Sequence, residues 1–265
     1  MSLGRIGAWC SIGSSYVVEL LASCDFDWIC IDLQHGFAGP GDLLPMLQAA
    51  SITRTPTLVR VPRLDAGLIG RALDAGAAGV VVPMVNSAAQ ARDAVRACWY
   101  PPDGERSWGP ARLSLAEPAY SGERANARVQ CLVMVETLEA VRNLSEIAAV
   151  EGVDAVFVGP SDLAVDMGLH PRRGPIPGEH ATTLAGIART CQDGGMPAGI
   201  FCGTFEAVTE FEEMGYTILA AVTDAALIRA GAAAGLQGLH ARAEARSSSP
   251  DTAAAAVVAD ESETT

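Results

Sequence analysis

The chain has 265 residues, 49% of them hydrophobic, which suits one full-size domain with a large core. Its formal net charge is −13 and its basic residues are scattered, which argues against nucleic acid or an anionic membrane surface as a partner. All 18 basic residues are arginine, so the sequence excludes an imine-forming aldolase, pyridoxal-phosphate attachment and a P-loop, which all need a lysine.

The N-terminal segment lacks the charged, apolar and small-residue layout of a signal peptide, and no apolar run is long enough to cross a bilayer. The 7 cysteines include no CxxC pair, and several lie in apolar runs, such as Cys30 and Cys131. This usage is typical of small buried residues in a reducing compartment. We therefore predict a cytoplasmic protein.

Short β-branched runs alternate along the chain with longer amphipathic stretches rich in Ala and Leu. Strands are predicted at 6–10, 27–32, 57–61, 79–83, 130–136, 154–158, 197–201 and 217–222. Helices are predicted at 15–23, 41–50, 66–75, 87–98, 137–149, 180–193, 204–214 and 224–236. Repeated strand–helix units in a chain near the usual size of about 250 residues predict a (β/α)8 TIM barrel. A doubly wound sheet is the alternative, but no Gly-x-Gly-x-x-Gly turn follows the first strand.

Three stretches interrupt this alternation. Residues 99–128 and 166–180 have few ordered apolar positions and are predicted to be long surface loops. From residue 241 the chain is polar and of low complexity. We therefore predict one barrel domain over 1–240 and a disordered tail over 241–265.

Polar residues follow the apolar strands at their carboxyl ends, where barrel enzymes hold their reacting groups. They are Asp32 and His35 after the second strand, Arg60 at the end of the third, Glu136 at the end of the fifth, and Gly159, Pro160, Ser161 and Asp162 after the sixth. Any one of them could have a structural role, such as capping the next helix. Their occurrence on one rim predicts a functional site.

Glu136 and Asp162 are carboxylates of the kind that bind Mg²⁺, which takes one or two protein carboxylates and completes its shell with water or substrate. The alternatives are an acidic pair without an ion, or a carboxylate paired with arginine. A zinc site is not indicated, because no second histidine lies at ligand spacing from His35. The other histidines, His170, His180 and His240, are predicted to be surface residues.

His35 lies three residues after Asp32, on the turn that leaves the strand. An aspartate at this spacing can orient an imidazole and hold it as a general base. The alternative is a histidine that is only hydrogen-bonded. Its position on the predicted rim favours catalysis.

Eight segments of the chain form one ordered pattern: Gly7-Ala8-Trp9, the segment 26–36 with Asp32-Leu33-Gln34-His35-Gly36, Val59-Arg60-Val61-Pro62, Leu73-Asp74-Ala75-Gly76-Ala77, Val82-Pro83-Met84-Val85, Tyr100-Pro101-Pro102, Val135-Glu136-Thr137 and Gly159-Pro160-Ser161-Asp162-Leu163. Together they resemble the HpcH/HpaI aldolase family of class II pyruvate aldolases. The similarity runs in order from about residue 5 to residue 236. No single segment is specific, but the ordered set is.

The resemblance implies roles for the matching positions. Glu136 and Asp162 would bind Mg²⁺ or Mn²⁺, with Co²⁺ as a further candidate, and Arg60 would hold the 2-oxo oxygen. The backbone around Gly159, Pro160 and Ser161 would bind the substrate carboxylate. His35, oriented by Asp32, would be the acid and base, and Trp9 would line the pocket.

The resemblance also implies an assembly. The family forms homo-oligomers, trimers or hexamers, in which the C-terminal helix is exchanged between subunits. Asp74 would then approach the site of a neighbouring subunit.

The activity implied is cleavage of the C3–C4 bond of a 4-hydroxy-2-oxo acid to give pyruvate and an aldehyde, or formation of that bond in the reverse direction. Two positions depart from the family pattern: Gln34 stands where Glu is usual, and Met134 where Gln is common. The alternatives are a related reaction of a pyruvate enolate (decarboxylative addition, as in the macrophomate-synthase branch, or cleavage of an acyl-CoA) and a non-catalytic barrel that binds 2-oxo acids.

Overall fold

The computed structural model describes residues 3–172 and 174–247 and contains a closed barrel of parallel strands in the order β1 to β8. The strands are β1 Ile6–Cys10, β2 Trp28–Asp32, β3 Thr57–Arg60, β4 Gly79–Val82, β5 Gln130–Val135, β6 Ala155–Val158, β7 Ala198–Phe201 and β8 Ile218–Thr223. Each strand pairs in parallel with its neighbour along the chain, and β8 pairs with β1. The predicted (β/α)8 barrel is confirmed, and the doubly wound alternative is wrong.

Helices separate the strands. They are α1 Ser15–Ala22, α2 Leu43–Ser51, α3 Ala66–Asp74, α4 Ala88–Cys98, α5 Leu113–Ala116, α6 Gly122–Asn126, α7 Leu138–Arg142, α8 Leu144–Ala148, α9 Pro160–Asp166, α10 Glu179–Asp193, α11 Phe205–Glu213 and α12 Asp224–Ser247. Side-chain oxygens of Ser or Thr accept a bond from the first turn of several, as Ser87 does at α4 and Thr204 at α11. Such caps fix where each helix begins after its strand.

Large side chains fill the barrel interior. The strands are buried on both faces, as expected when helices cover a parallel sheet. The central cluster consists of Trp9, Trp28, Cys30, Leu58, Val81, Leu132, Met134, Ala155, Phe157, Ile218 and Ala220. Its aromatic members interlock, since the Trp9 and Phe157 rings stack with centroids 5.6 Å apart. The interior is thus a packed core that holds the strand ends in place.

The segment 99–128 is more ordered than the predicted loop. It contains α5 and α6, and Tyr100 and Arg106 within it are buried. The Arg106 guanidinium lies 4.4 Å from the centroid of the Tyr100 ring and donates to Asp74 at 2.7 Å. Sequence patterning missed this because the anchors are single residues, not a periodic apolar face.

The chain divides into two compact units, one ending at Ala225 and one starting at Ala226, inside α12. Helix α12 continues to Ser247, past the predicted start of the tail at 241, and the rest of that predicted tail lies outside the described residues. The described part of the second unit exposes Ile228, Leu236 and Leu239. Among the described residues, no helix combines the length and apolarity needed to span a bilayer.

The cysteines are free thiols, as predicted. All of them are buried except Cys24, which is exposed. Burial raises the pKa of Cys191 to about 11, so this thiol stays protonated at neutral pH.

Candidate active site

A cavity of about 240 Å³ opens at the carboxyl ends of the strands. It contains every predicted rim residue except Glu136, and its full lining is Trp9, Ser11, Asp32, His35, Arg60, Met134, Gly159, Pro160, Ser161, Asp162, Phe201 and Thr223. These residues lie on seven of the eight strands, or directly after them, and are far apart in sequence. Closure of the barrel places them around one cavity. This is where barrel enzymes carry their chemistry.

Asp32 and Arg60 form the best-defined part of the site. They end the neighbouring strands β2 and β3 and are direct partners in the sheet register. The guanidinium donates twice to the carboxylate, from Nε to Oδ1 at 2.9 Å and from Nη2 to Oδ2 at 2.5 Å, and both side chains are buried. Such a bidentate pair fixes the plane of the guanidinium. Asp32 occupies Nε and Nη2, which leaves Nη1 of Arg60 for another acceptor.

Trp9 completes this arrangement. Its indole Nε1 donates to Oδ2 of Asp32 at 3.1 Å, and its ring lies 5.1 Å from the Arg60 guanidinium carbon. Burial acts to raise the pKa of Asp32, but the hydrogen bonds and charge of Arg60 outweigh it, so the pKa lies below its usual value. Asp32 is therefore ionised at neutral pH and neutralises Arg60.

His35 lies on the turn after β2, exposed at the cavity wall. Its backbone N–H donates to Oδ1 of Asp32 at 3.2 Å, as that of Gln34 does at 2.9 Å. The turn needs glycine at position 36, because a Cβ there would lie 2.2 Å from the carbonyl oxygen of Asp32. Asp32 thus fixes the main chain that carries His35, and its role in orienting the imidazole ring stays a prediction.

Glu136 follows β5 and is almost fully buried. Its Oε1 accepts from the backbone N–H of Met84 at 2.7 Å, and Met84 adopts a left-handed conformation with φ of 57°. Its Oε2 lies against Gly159, where a Cβ would approach it to 2.4 Å. Glycine at 159 therefore leaves room for the carboxylate at the base of the turn after β6. Glu136 is not among the residues that line the cavity.

Burial and, to a smaller extent, the charge of Asp162 raise the pKa of Glu136, while the Met84 bond and Arg60 lower it, and the net pKa is about 7. The two carboxylates are thus close enough to repel each other. Within 3–172 and 174–247, no cluster of three or more His, Cys, Asp and Glu side chains could hold a metal ion. The two carboxylates of Glu136 and Asp162 alone fit a hard divalent cation, because such an ion can take two protein carboxylates and otherwise bind water or substrate oxygens.

The turn after β6 leads into α9, with Pro160 at its first position and Asp162 in its first turn. Pro160 is buried, and Ser161 and Asp162 are exposed to the cavity. His180, predicted to be a surface residue, is buried at the start of α10, and its Nε2 lies 2.9 Å from the Pro160 carbonyl oxygen. The prediction failed because the start of α10 packs against this turn and α9. His170 and His240 are exposed, as predicted.

Asp74 ends α3 and is absent from the cavity lining of its own chain. It is half-buried and accepts from Arg106. The part that it would take in the site of a neighbouring subunit stays a prediction.

Several residues at the site were not singled out from the sequence. Ser11 and Thr223 line the cavity directly after β1 and at the end of β8. Buried Asp224 accepts from the N–H groups of Ser11 and Ile12, at 3.0 and 2.8 Å, and so ties the first connection to the last strand. The strand-end criterion that found Arg60 would also have found Thr223. Phe201 lies in β7 and could not have been recognised by its polarity.

The two departures from the family pattern lie at this rim. Met134 lines the cavity from β5 and is buried, so it presents a thioether instead of an amide. The side-chain oxygen of Gln34 is buried and has no hydrogen-bond partner in the described part of the chain. Neither residue offers a charge to a ligand.

Comparison with known proteins gives one consistent result. A 2-dehydro-3,6-dideoxy-6-sulfogluconate aldolase of Pseudomonas putida is 39% identical over 225 residues, 84% of this chain and 88% of that protein. A hydroxypyruvate/pyruvate aldolase of Sagittula stellata is 38% identical over 234 residues, covering 87% and 91%. An HpcH/HpaI aldolase/citrate lyase family structure from Burkholderia cenocepacia J2315 matches with a TM-score of 0.82 and 32% identity, covering 89% and 95%. Residues 5–230 match the family model described as HpcH/HpaI aldolase/citrate lyase. The chain therefore belongs to the HpcH/HpaI aldolase/citrate lyase family and is a carbon–carbon lyase.

Proposed function

We propose that the protein is a metal-dependent aldolase that cleaves, or forms, the C3–C4 bond of a 4-hydroxy-2-oxo acid. Cleavage would give pyruvate and an aldehyde. The relatives named above act on substrates of related type, since they are named as aldolases of a 2-dehydro sugar acid and of hydroxypyruvate or pyruvate.

The observation that carries this proposal is the buried carboxylate of Glu136. Burial raises its pKa to about 7, and Asp162, whose charge adds to this shift, lines the cavity together with Arg60 and His35. A cation bound by both carboxylates would offset the cost of burying the ionised Glu136 and would screen its repulsion by Asp162. Mg²⁺ or Mn²⁺, with Co²⁺ as a further candidate, would be held by Glu136 and Asp162 and would supply Lewis-acid polarisation of the 2-oxo group.

The side chains of this protein would act as follows. His35, directly or through a water molecule, takes the proton of the C4 hydroxyl, and the electron pair of the C3–C4 bond moves onto the pyruvate fragment as an enolate. The Nη1 group of Arg60, fixed in its plane by Asp32, donates to the enolate oxygen. Protonation at C3 then gives pyruvate, and the C4 fragment leaves as the aldehyde. The backbone of Gly159, Pro160 and Ser161 would bind the substrate carboxylate.

We also infer that the protein is a homo-oligomer, a trimer or a hexamer, with an exchanged C-terminal helix. The exposed Ile228, Leu236 and Leu239 on α12 support an apolar partner surface. The position of Asp74 away from its own cavity supports a role toward a neighbouring subunit.

A coupled lactate dehydrogenase assay on a panel of 4-hydroxy-2-oxo acids tests the function. We expect pyruvate release that stops with EDTA and returns with excess Mg²⁺ or Mn²⁺. Equal release in EDTA would rule out the metal-dependent reaction. Binding of 2-oxo acids without any pyruvate release would identify a non-catalytic barrel.

A further inference from the structure

His180 is a buried histidine that the proposed reaction does not use. It is 1% exposed and lies at the second position of α10. Both of its ring nitrogens are hydrogen-bonded to backbone atoms of other segments. A buried imidazole with both nitrogens hydrogen-bonded holds its two partner segments at a fixed distance from each other.

The partners of His180 fix its tautomer. The N–H of Ile176 can only donate, and it lies 3.0 Å from Nδ1, so Nδ1 accepts. The proton of the neutral ring is therefore on Nε2. That group donates to the carbonyl oxygen of Pro160 at 2.9 Å. The ring thus bridges the loop before α10 and the turn after β6.

The Pro160 carbonyl belongs to the same peptide unit as the N–H of Ser161. A trans peptide is planar, with its C=O and N–H pointing in opposite directions. The bond from His180 therefore orients the Ser161 N–H away from the imidazole, and it fixes the first turn of α9, which carries Asp162. Pro160, Ser161 and Asp162 all line the cavity.

We propose that His180 is a positioning residue of the active site: through the Pro160 carbonyl it sets the turn that holds Asp162. This proposal rests on the proposed function, in which Asp162 binds the divalent cation. His180 itself lies outside the cavity lining and would touch neither the substrate nor the cation.

Two substitutions, each of which introduces an amide side chain at position 180, test the two hydrogen bonds of the ring separately. Gln in His180→Gln can place its NH₂ group near the position of Nε2 and so donate to Pro160. Asn in His180→Asn is one methylene shorter, so its oxygen can accept from Ile176 but its amide does not reach Pro160. Tyr216→Phe is the matched control, because the Tyr216 hydroxyl is a buried donor to the Leu184 carbonyl of the same helix α10, at 2.9 Å.

The experiment measures amide hydrogen exchange of residues 161–166 and the Kd for Mn²⁺, in the full-length variants and the wild type. His180→Asn should speed exchange in this segment and raise the Kd for Mn²⁺ by roughly tenfold to a hundredfold, the usual cost of losing a partner that orients a ligand. His180→Gln should keep both values near wild type, and Tyr216→Phe should change neither.

Equal behaviour of the Asn and Gln variants, or equally fast exchange in Tyr216→Phe, would overturn the proposal. The two measurements test different hypotheses: Mn²⁺ binding by the wild type tests the proposed function, and amide exchange tests the role of His180. If the wild type binds no Mn²⁺, the proposed function is wrong, whereas the exchange rates alone decide whether His180 fixes the turn.

Discussion

The two sides of the active-site rim differ in how their charges are satisfied. On the arginine side, formed by Trp9, Asp32 and Arg60, the carboxylate and guanidinium neutralise each other, and the pKa of Asp32 lies below its usual value. On the carboxylate side, formed by Glu136 and Asp162, burial and, to a smaller extent, the charge of Asp162 raise the pKa of Glu136 to about 7. The charges of the arginine side are neutralised by residues of the chain itself, whereas the carboxylate side would be stabilised by a positively charged ligand.

This difference shows that folding organises one side of the site, whereas ligand binding would stabilise the other. The arginine side is held by the same burial and hydrogen bonds that hold the barrel, so it is organised before any ligand arrives. The carboxylate side costs free energy when both groups are ionised, and a cation that binds it stabilises the folded state by mass action. Substitutions on the two sides should therefore have opposite effects on stability.

Asp32→Asn should have the largest effect. It leaves the buried Arg60 without a counter-charge, and breaking a buried pair in this way costs about 3–5 kcal/mol. Urea unfolding of the variant and the wild type measures the loss. Asp65→Asn is the control, because Asp65 pairs with an exposed arginine, Arg63, at 3.2 Å. That change should cost much less, because an exposed ion pair contributes little to stability, and equal losses would contradict the account of the arginine side.

Glu136→Gln should lower the rate of pyruvate release by on the order of 10²–10³-fold, because the proposed cation loses one of its two carboxylate ligands. Its effect on stability should be the reverse of Asp32→Asn. The pKa of Glu136 is raised from 4.5 to about 7, so its ionisation disfavours folding as the pH rises through this range. At pH 8 without metal, the variant should unfold at no lower urea concentration than the wild type.

The control for this change is Glu139→Gln, on an exposed residue in the first turn of α7. It should keep the rate of the wild type. A Glu136→Gln variant that is both active and destabilised would mean that the carboxylate has a structural role only.

His35→Ala separates catalysis from the arginine side. We expect the rate to fall by about 10²-fold or more, as for loss of a general base, with little change in unfolding, because the exposed ring contributes little to the core. The coupled assay and urea unfolding measure the two effects. His170→Ala, at another exposed histidine, should leave both unchanged. A full rate in His35→Ala would remove His35 from the reaction.

The smallest effect concerns pH. With its pKa near 7, Glu136 is protonated below that pH, and a cation must displace this proton. The affinity for Mn²⁺ should therefore fall by at most about tenfold for each pH unit below 7 and level off above it. Calorimetric titrations between pH 5.5 and 8.5, values chosen to be roughly 1.5 units on either side, measure this. An affinity independent of pH would contradict the assigned role of Glu136.

The barrel itself was predictable from the sequence because its signal is local. Each parallel strand is an apolar β-branched run covered on both faces, and each helix carries its own cap and apolar face, as for Gly79–Val82 and the helix begun by Ser87. The polar residues at the strand ends were predictable for the same reason. Asp32 and Arg60 interrupt apolar patterns that give no structural reason for a charge.

The relations between these residues were decided only by the tertiary structure. The sequence placed Asp32 and His35 on one turn, but the sheet register opposite Arg60 determined that the Asp32 carboxylate would face the guanidinium. The burial of His180 depends on the start of α10 packing against a turn 20 residues earlier. Hydrogen bonds between segments far apart in sequence follow from how the strands close into a barrel. Residue type and spacing thus determined which groups reach the rim, and the closed sheet determined which of them meet.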